Sequence, residues 1–483
     1  MAAPSLLEPG RTCWRVERAD QFACIVDGAD YFRHAKAAML RARHRILLVG
    51  WDFDTRVALE RGGRTLPGPN RLGAFLQWLL WKRPDLKIHL LKSNLRLLPA
   101  FDDLWYGITP VALVNRLSSK RLHFAVDGAH PTGAVHHQKV LVVDDAVALC
   151  GGIDFTLERW DTSAHEHHNG LRRVMGRDYA PRHEVGVAVD GAAARALGEL
   201  ARERWRAAVG LSLPAIETAH VAWPRTLDPS LRHVDVGIAR TMPELAAREE
   251  VREIEALNLS AIAAAQHLIY LENQYLASRV IVEALAARLR DPDGPEIVIV
   301  IPRSSESRLE QESMDGARYR MLRLLWAADE YGRLGVYWPV TDGGKPIYVH
   351  SKVMVIDDRL LRIGSSNLNN RSMGFDSECD VAIESGGGTD DAVRRVVLGM
   401  RRQLIAEHLG VAPEEFEQAM SGGLTFLQAV ESLRGAGRTL RLFTQETIAD
   451  EASLLAENDA MDPDHVPRSL SRSVRRYLSR LTR

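Results

Sequence analysis

An α/β fold built from two internal repeats is what this sequence predicts, and three observations predict it. Amphipathic helical segments alternate with short runs that are apolar at every position. The order of those segments recurs in the two halves of the chain. One polar pattern is also written twice: His, a gap of one, Lys, a gap of four, Asp. It falls at His137, Lys139 and Asp144, and again at His350, Lys352 and Asp357.

The first half opens with YFRHAKAAMLRARH (31–44), which has helical spacing, followed by RILLVGWD (45–52), a strand. RLGAFLQWLLWKRPD (71–85) reads as helix and KIHLLKS (87–93) as strand. The motif strand VLVV, a turn at Asp144-Asp145 and VALCGGID complete the unit. The second half repeats this order. EVREIEALNLSAIAAAQ (250–266) is helical and HLIYLENQYL (267–276) is a strand; VIVEALAARLRD (280–291) is a helix and EIVIVIP (296–302) a strand. VMVI, a turn at Asp357-Asp358 and LLRIGSSN follow. Strands apolar at every position expect cover on both faces.

The halves also end alike, with EVGVAV from Glu184 and ECDVAI from Glu378. The motif His precedes this Glu by 47 residues in the first half and 28 in the second. The excess falls in LERWDTSAHEHHNGLRRVMGRDYAPR, a polar loop expected to bear on specificity. Domain boundaries follow: an N-terminal extension at 1–20, a first repeat at 21–222, a Pro-rich linker at 223–238, a second repeat at 239–410 and a helical C-terminal region at 411–483 with a basic tail.

Composition narrows the function classes. Of 483 residues, 46% are hydrophobic, which allows a large core. Lys plus Arg (62) balances Asp plus Glu (63), so there is no bulk footprint for nucleic acid and none is expected as a partner. The four cysteines, at 13, 24, 150 and 379, have no zinc or disulfide-scaffold spacing. The N-terminus lacks the pattern of a Sec signal, and no apolar run approaches a membrane span. The expected setting is therefore cytoplasmic or peripheral to a membrane, with export by another route left open. The tail RSLSRSVRRYLSRLTR is basic and amphipathic, fitting a surface helix or an anionic membrane surface.

On a strand, residues i and i+2 share a face, so His137 projects with Lys139 and His350 with Lys352, while His136 turns away. An ammonium beside an imidazole suits a phosphate: the lysine neutralises an oxygen while the histidine attacks or protonates. Asp144 and Asp357 lie past the buried run, where bracing the turn or pairing with a base is expected over touching substrate. A small-residue turn follows each motif, Gly151-Gly152-Ile153-Asp154 and Gly364-Ser365-Ser366-Asn367. Asp154 and Asn367 each stand 17 residues after their histidine. Small residues permit close approach to an anion, and Ser365 and Asn367 can donate to phosphate oxygens.

These blocks resemble the phospholipase D superfamily, which is defined by a duplicated HxKxxxxD motif. IYLENQYL, GGIDFTLERWDT and IYVHSKVMVIDDRLLRIGSSNLNNRSMGFDSE are most similar to its eukaryotic-type members, and the resemblance runs over about residues 20 to 410. It implies two pseudo-twofold-related repeats, mixed sheets flanked by helices and an active site at the seam. It implies His137 as nucleophile, His350 as acid and then base, and Lys139, Lys352 and Asn367 as phosphate ligands, to which the donor chemistry of the turn adds Ser365. Asp144 and Asp357 complete the catalytic motif, and Glu184 and Glu378 orient the histidines, with the pairing left open. Asp154, Trp160 and Asp161 are substrate-pocket candidates. The implied substrate is a phospholipid met by peripheral membrane contact, with no cofactor or metal, in a monomer.

Three further readings accompany this one. HEHHN (165–169) has the look of a metal cluster, but its polar, irregular setting fits a solvated or substrate-gating loop better. The tryptophans of LQWLLW are expected in the core rather than in lipid. A nuclease of the same superfamily, a cardiolipin-synthase-like phosphatidyltransferase and a catalytically dead binding protein remain the alternatives.

Overall fold

In the computed structural model, residues 4–94, 104–105, 109–110, 120–217, 220–245, 248–306, 311–386, 391–448 and 462–463 are described. The first half contributes β1 (Arg15–Val26), β2 (Arg45–Gly50), β3 (Lys87–Ser93), β4 (Leu122–Asp127), β5 (Val140–Val143), β6 (Val147–Gly151), the short β7 (Arg182–His183) and β8 (Val185–Asp190). The second contributes β9 (Leu231–Met242), β10 (Leu268–Glu272), β11 (Glu296–Val300), β12 (Leu334–Val340), the short β13 (Tyr348–Val349), β14 (Val353–Ile356), β15 (Leu360–Gly364) and β16 (Glu378–Glu384). A last strand, β17 (Thr439–Leu442), comes from the C-terminal region.

Except for β7 and β13, these strands join one sheet in the order β17-β12-β11-β10-β14-β15-β16-β9-β1-β8-β6-β5-β2-β3-β4. The order is a palindrome about β9 and β1. Outward from the centre, β16 and β8 correspond, then β15 and β6, β14 and β5, and β10 and β2. The two central strands pair antiparallel from Arg15↔Ile238 to Phe22↔Leu231. Within each half the motif strand lies antiparallel to its neighbour, Ile46↔Val143 in one and Ile269↔Ile356 in the other.

Helices cover both faces. The helices α1 (Gly28–Met39) and α2 (Leu72–Lys82) serve the first half. Next in sequence comes α3 (Gly191–Val209), then α4 (Glu253–Ala264), α5 (Arg279–Arg290), α6 (Gly316–Ala328) and α7 (Ala392–Leu409). The alternation of β5 explains its lack of polar residues. Val140 and Val142 enter a core shared by both halves, and Leu141 and Val143 enter the core beneath α1 and α2. In β14, Val353 and Val355 enter the shared core while Met354 and Ile356 pack under α4, α5 and α6. The shared core is roofed by α3 and α7, each of which ends on a glycine with positive φ, Gly210 and Gly410.

The expected segments of both repeats form as read, with ends trimmed by a few residues. Two boundaries shift. The strand β1 begins at Arg15, inside the segment assigned to an N-terminal extension, and β9 begins at Leu231, inside the assigned linker. The C-terminal region adds a sheet strand, β17, besides its helices Pro413–Ser421 and Phe426–Leu433. Its basic tail lies outside the described residues. In LQWLLW, Trp78 packs against the core but Trp81 stands 72% exposed beside Lys82. Among the described residues, no helix is long and apolar enough to cross a membrane.

Candidate active site

Both motif histidines sit just before their apolar strands, on extended segments that cross to the other half. The strand β13 runs parallel to β7, with His183 opposite Val349, and the His350 amide donates to the His183 carbonyl at 2.9 Å. The first motif does the same more briefly. His136 bridges to Ser377, and the His137 amide donates to the Ser377 carbonyl at 2.8 Å. Residues 183 and 377 immediately precede the two glutamates, so each motif histidine is set beside the glutamate of the opposite half. His350 Nδ1 lies 3.0 Å from Glu184 Oε2, and His137 Nδ1 lies 3.0 Å from both Glu378 oxygens. This crossing settles the pairing that spacing alone left open.

The lysines are almost wholly buried. Lys139 Nζ donates to the His137 carbonyl at 2.9 Å and lies 3.2 Å from Asp154 Oδ2. Lys352 Nζ donates to the His350 carbonyl at 2.6 Å and to Gln274 Oε1 at 3.1 Å. The first lysine thus carries a carboxylate partner and the second a neutral one. Asp154 also accepts from the Trp51 amide at 3.0 Å, which makes it a lysine partner rather than a pocket wall. Asn367 stands at the equivalent place, and its Oδ1 is buried without a hydrogen bond. Gly152 shows why that turn is small: a Cβ there would stand 3.1 Å from the His350 carbonyl and 3.2 Å from Lys352 Cδ.

Several sequence expectations are corrected. Asp144 lies outside the catalytic group in which the resemblance put it, and braces the turn as its place past the buried run led one to expect; its carboxylate accepts from the amides of Arg43, His44 and Arg45 at 2.6–2.8 Å. Asp357 accepts likewise from Gln266, His267 and Leu268 at 2.8–2.9 Å. Each aspartate therefore anchors the start of the neighbouring strand and touches no reacting group. Ser365 is no phosphate ligand, because its hydroxyl donates to Glu378 Oε2 at 2.5 Å. Trp160 is buried in the first-half core, and its carbonyl accepts from Tyr179. Asp161 is wholly buried and holds His165, Arg172 and the Arg182 amide. The HEHHN loop is not solvated at its first histidine, since His165 is fully buried, and His167 bonds Thr341. His136 is a bystander as read, held by Ser377 and Asp127.

Sequence reasoning missed four contributors. Ser372 donates to Glu378 at 2.6 Å, and Gln274 partners Lys352. Arg159 and Arg182 each bury a guanidinium nitrogen that makes no hydrogen bond. Arg159 lies 3.8 Å from Glu184 Oε1, and Arg182 covers the Tyr348 ring at 4.6 Å. With Tyr348 and Ser305 they line a cleft of about 620 Å³ beside the segment leading into His350. The two arginines lie in the long first-half loop, whose length was its only signal.

Electrostatics follow from burial among cations. Burial, reinforced by Lys139 and Lys352, holds the His137 ring well below the usual imidazole range. Burial, Lys352, Arg159 and Arg182 do the same to His350. Burial also depresses Lys352, against the pull of Glu184. It pushes Glu378 up to about 8, opposed by Lys139, Ser365 and Ser372. Each ring thus presents a neutral imidazole, anchored at Nδ1, with no hydrogen bond at Nε2 among the described residues. A site of this charge favours an anion with several oxygens.

Fold and site together define a class: two fused α/β repeats, each giving one His-Lys pair to a common cationic centre. Comparisons with known proteins find similarity to proteins of one family. A phospholipase D model matches residues 341–455 and a "Cardiolipin synthase, PLD-like domain" model matches 259–395. Phospholipase D A of Dictyostelium discoideum is 24% identical, over 80% of this chain and 35% of its own length. Phospholipase D gamma 3 of Arabidopsis thaliana is 24% identical, over 81% of this chain and 63% of its own. The chain thus spans about a third to under two thirds of these relatives. The phosphatidylserine synthase structure from Haemophilus influenzae Rd KW20 shares the fold, with a TM-score of 0.52 at 13% identity over 84% of this chain and 94% of that one. Over these stretches the chain is similar to the phospholipase D superfamily.

Proposed function

We propose that this chain is a phosphodiesterase of phospholipase D type, cleaving the distal phosphodiester of glycerophospholipids, phosphatidylcholine first among them. The reading rests on one observation above all: two crossed His–Glu pairs, each ring held through Nδ1 by the glutamate of the opposite half, with both buried lysines acting on both rings.

In the proposed reaction, His137 Nε2 attacks phosphorus, a P–N bond forms, and the bond from phosphorus to the headgroup oxygen breaks. His350 delivers its proton to that oxygen. The two lysines and Asn367 hold the phosphate oxygens, and the arriving anion offsets the cations that otherwise keep His350 neutral. His350 then takes a proton from water as its oxygen displaces His137, releasing phosphatidic acid. A primary alcohol in place of water gives a phosphatidylalcohol. Glu184 and Glu378 fix the reactive tautomers and stabilise the imidazolium forms. The cleft beside Arg159 and Arg182 fits as the approach to His350, and the chain meets its substrate at a lipid surface.

The match over 259–395 supports a second reading, a phosphatidyltransferase whose acceptor is itself a lipid alcohol. The charge balance argues against a nuclease, whose binding should weaken steeply with salt.

The test offers phosphatidylcholine vesicles with and without a primary alcohol, and separately phosphatidylglycerol. Choline release with a new phosphatidylalcohol supports the first reading; diphosphatidylglycerol with little choline release supports the second. Activity retained in His137→Ala overturns the nucleophile assignment.

A further inference from the structure

We propose that Asp27, His165, His183 and Glu407 form a buried binding site for one divalent transition-metal ion, zinc by its donor set, apart from the reacting histidines. The four residues lie far apart in sequence and are all buried, with ligand atoms within 4.8 Å of one another. Asp27 follows β1, His165 belongs to the long first-half loop, His183 ends β7, and Glu407 lies on α7 of the second half.

The distances have the scale of a coordination polyhedron. A tetrahedron with metal–ligand bonds of about 2.0–2.1 Å has edges of roughly 3.3 Å. Here His183 Nδ1 is 2.9 Å from Glu407 Oε1 and 3.2 Å from Asp27 Oδ1. His165 Nε2 is 3.1 Å from Glu407 Oε1 and 3.6 Å from Asp27 Oδ2. Two of these atoms, His183 Nδ1 and Asp27 Oδ2, are buried without any hydrogen bond. Each points into the cluster and neither finds a protein partner of proper geometry, which is costly unless something else occupies the space between.

The surroundings support ligation. A metal-bound imidazole characteristically gives its other ring nitrogen to a carboxylate, which fixes the tautomer and strengthens the donor. Both rings do so: His165 Nδ1 lies 3.0 Å from Asp161 Oδ2, and His183 Nε2 lies 3.0 Å from Glu272 Oε2. Those carboxylates are held in turn, Asp161 by Arg172 and the Arg182 amide, and Glu272 by Tyr270, Ser351 and His408. Two imidazoles with two carboxylates suit zinc and exclude the all-oxygen preference of calcium or magnesium.

Such a centre ties the loop carrying Arg159 and Arg182 to the second half. It also borders the reactive machinery. The Glu184 amide donates to Asp27 Oδ1 at 3.1 Å, and the His183 carbonyl accepts from His350. The metal would set the position of the glutamate that orients His350 without meeting substrate. The inference does not depend on which reaction the histidines perform.

The test uses the full chain, expressed with zinc and freed of loose metal on a desalting column. Elemental analysis should find about one zinc per chain, retained in His167→Ala, whose ring lies in the same loop but outside the cluster. His165→Gln and Glu407→Gln should each lose most of that metal. Should either variant fail to fold, cobalt substitution of the wild-type chain decides the question, because four-coordinate Co²⁺ with nitrogen and oxygen donors has strong visible bands. Chelation should lower the thermal midpoint of the wild type by several degrees, reversibly on adding zinc. A folded wild-type chain that takes up less than about a tenth of an equivalent, with no such bands, overturns the proposal and leaves a network held by protons alone. Equal metal in the wild type and a folded His165→Gln overturns it as well.

Discussion

At Glu184 and Glu378, a carboxylate from one half orients an imidazole from the other, and the two pairs differ in their surroundings. Glu378 takes hydroxyl bonds from Ser365 and Ser372, while Glu184 Oε1 is buried without a hydrogen bond, near the cations of Arg159, Lys352 and Arg182. Glutamine at either place keeps an acceptor for Nδ1–H but removes the group that, once ionised, stabilises an imidazolium. Glu184→Gln should lower kcat on phosphatidylcholine by on the order of 10²-fold, and much less on a p-nitrophenyl ester whose leaving group needs no proton. Glu378→Gln should lower both rates alike, because the nucleophile serves both substrates. A merely structural role would give the same loss for both leaving groups in both variants. The histidines, lysines and glutamates were legible from spacing because strand geometry fixes which side chains share a face. Their crossed pairing was not, since it depends on contacts between residues more than 160 positions apart. Asp161 and His165 hid for a similar reason: their polar neighbours in sequence suggested water, while their neighbours in space are one another and α7.

Within the elements, the two motif aspartates do structural work. Asp144, Asp145 and Asp357 have positive φ of 54°, 51° and 52°, a conformation that Asp and Asn tolerate best. That backbone turns the Asp144 and Asp357 carboxylates onto three successive amides at the head of the adjoining strand. Asp144→Asn preserves the turn but loses charge-assisted bonds, and should cost about 2–3 kcal/mol of stability. Asp144→Ala should cost more, because alanine resists positive φ. Denaturant melts check both, and kcat per folded molecule should stay near the wild-type value. Most strands and helices of the repeats were readable from uninterrupted apolar runs and helical periodicity. The central strands were not: RVERADQFACIV and LRHVDVGIARTM carry charges along their exposed ends and so resemble an extension and a linker. The strand β17, four residues long, is too short to carry a period.

For the whole molecule, buried neutral imidazoles couple folding to acid. Burial, with help from His123, lowers His89 to about 3, and burial with Arg204 lowers His136 to about 3. The unfolded rings bind protons near pH 6.5, whereas the folded ones stay neutral. Between about pH 3 and 6.5 the unfolded state therefore holds more protons, and stability rises with pH across that window. The thermal midpoint should fall steadily on acidification below about pH 6.5, and His89→Leu should flatten that limb. Because each working pair draws one member from each half, either half expressed alone should be inactive, and co-expression should restore turnover only where β1 and β9 find each other.

The pairing of β1 with β9 carries a mechanical consequence. A ladder running from Arg15↔Ile238 to Phe22↔Leu231 welds the two halves into one plate, so they cannot swing apart like jaws. The reacting groups straddle that weld and stay in register throughout the cycle. Admission of the proposed phospholipid and departure of its product would therefore fall to the rim, where the long first-half loop meets the second half.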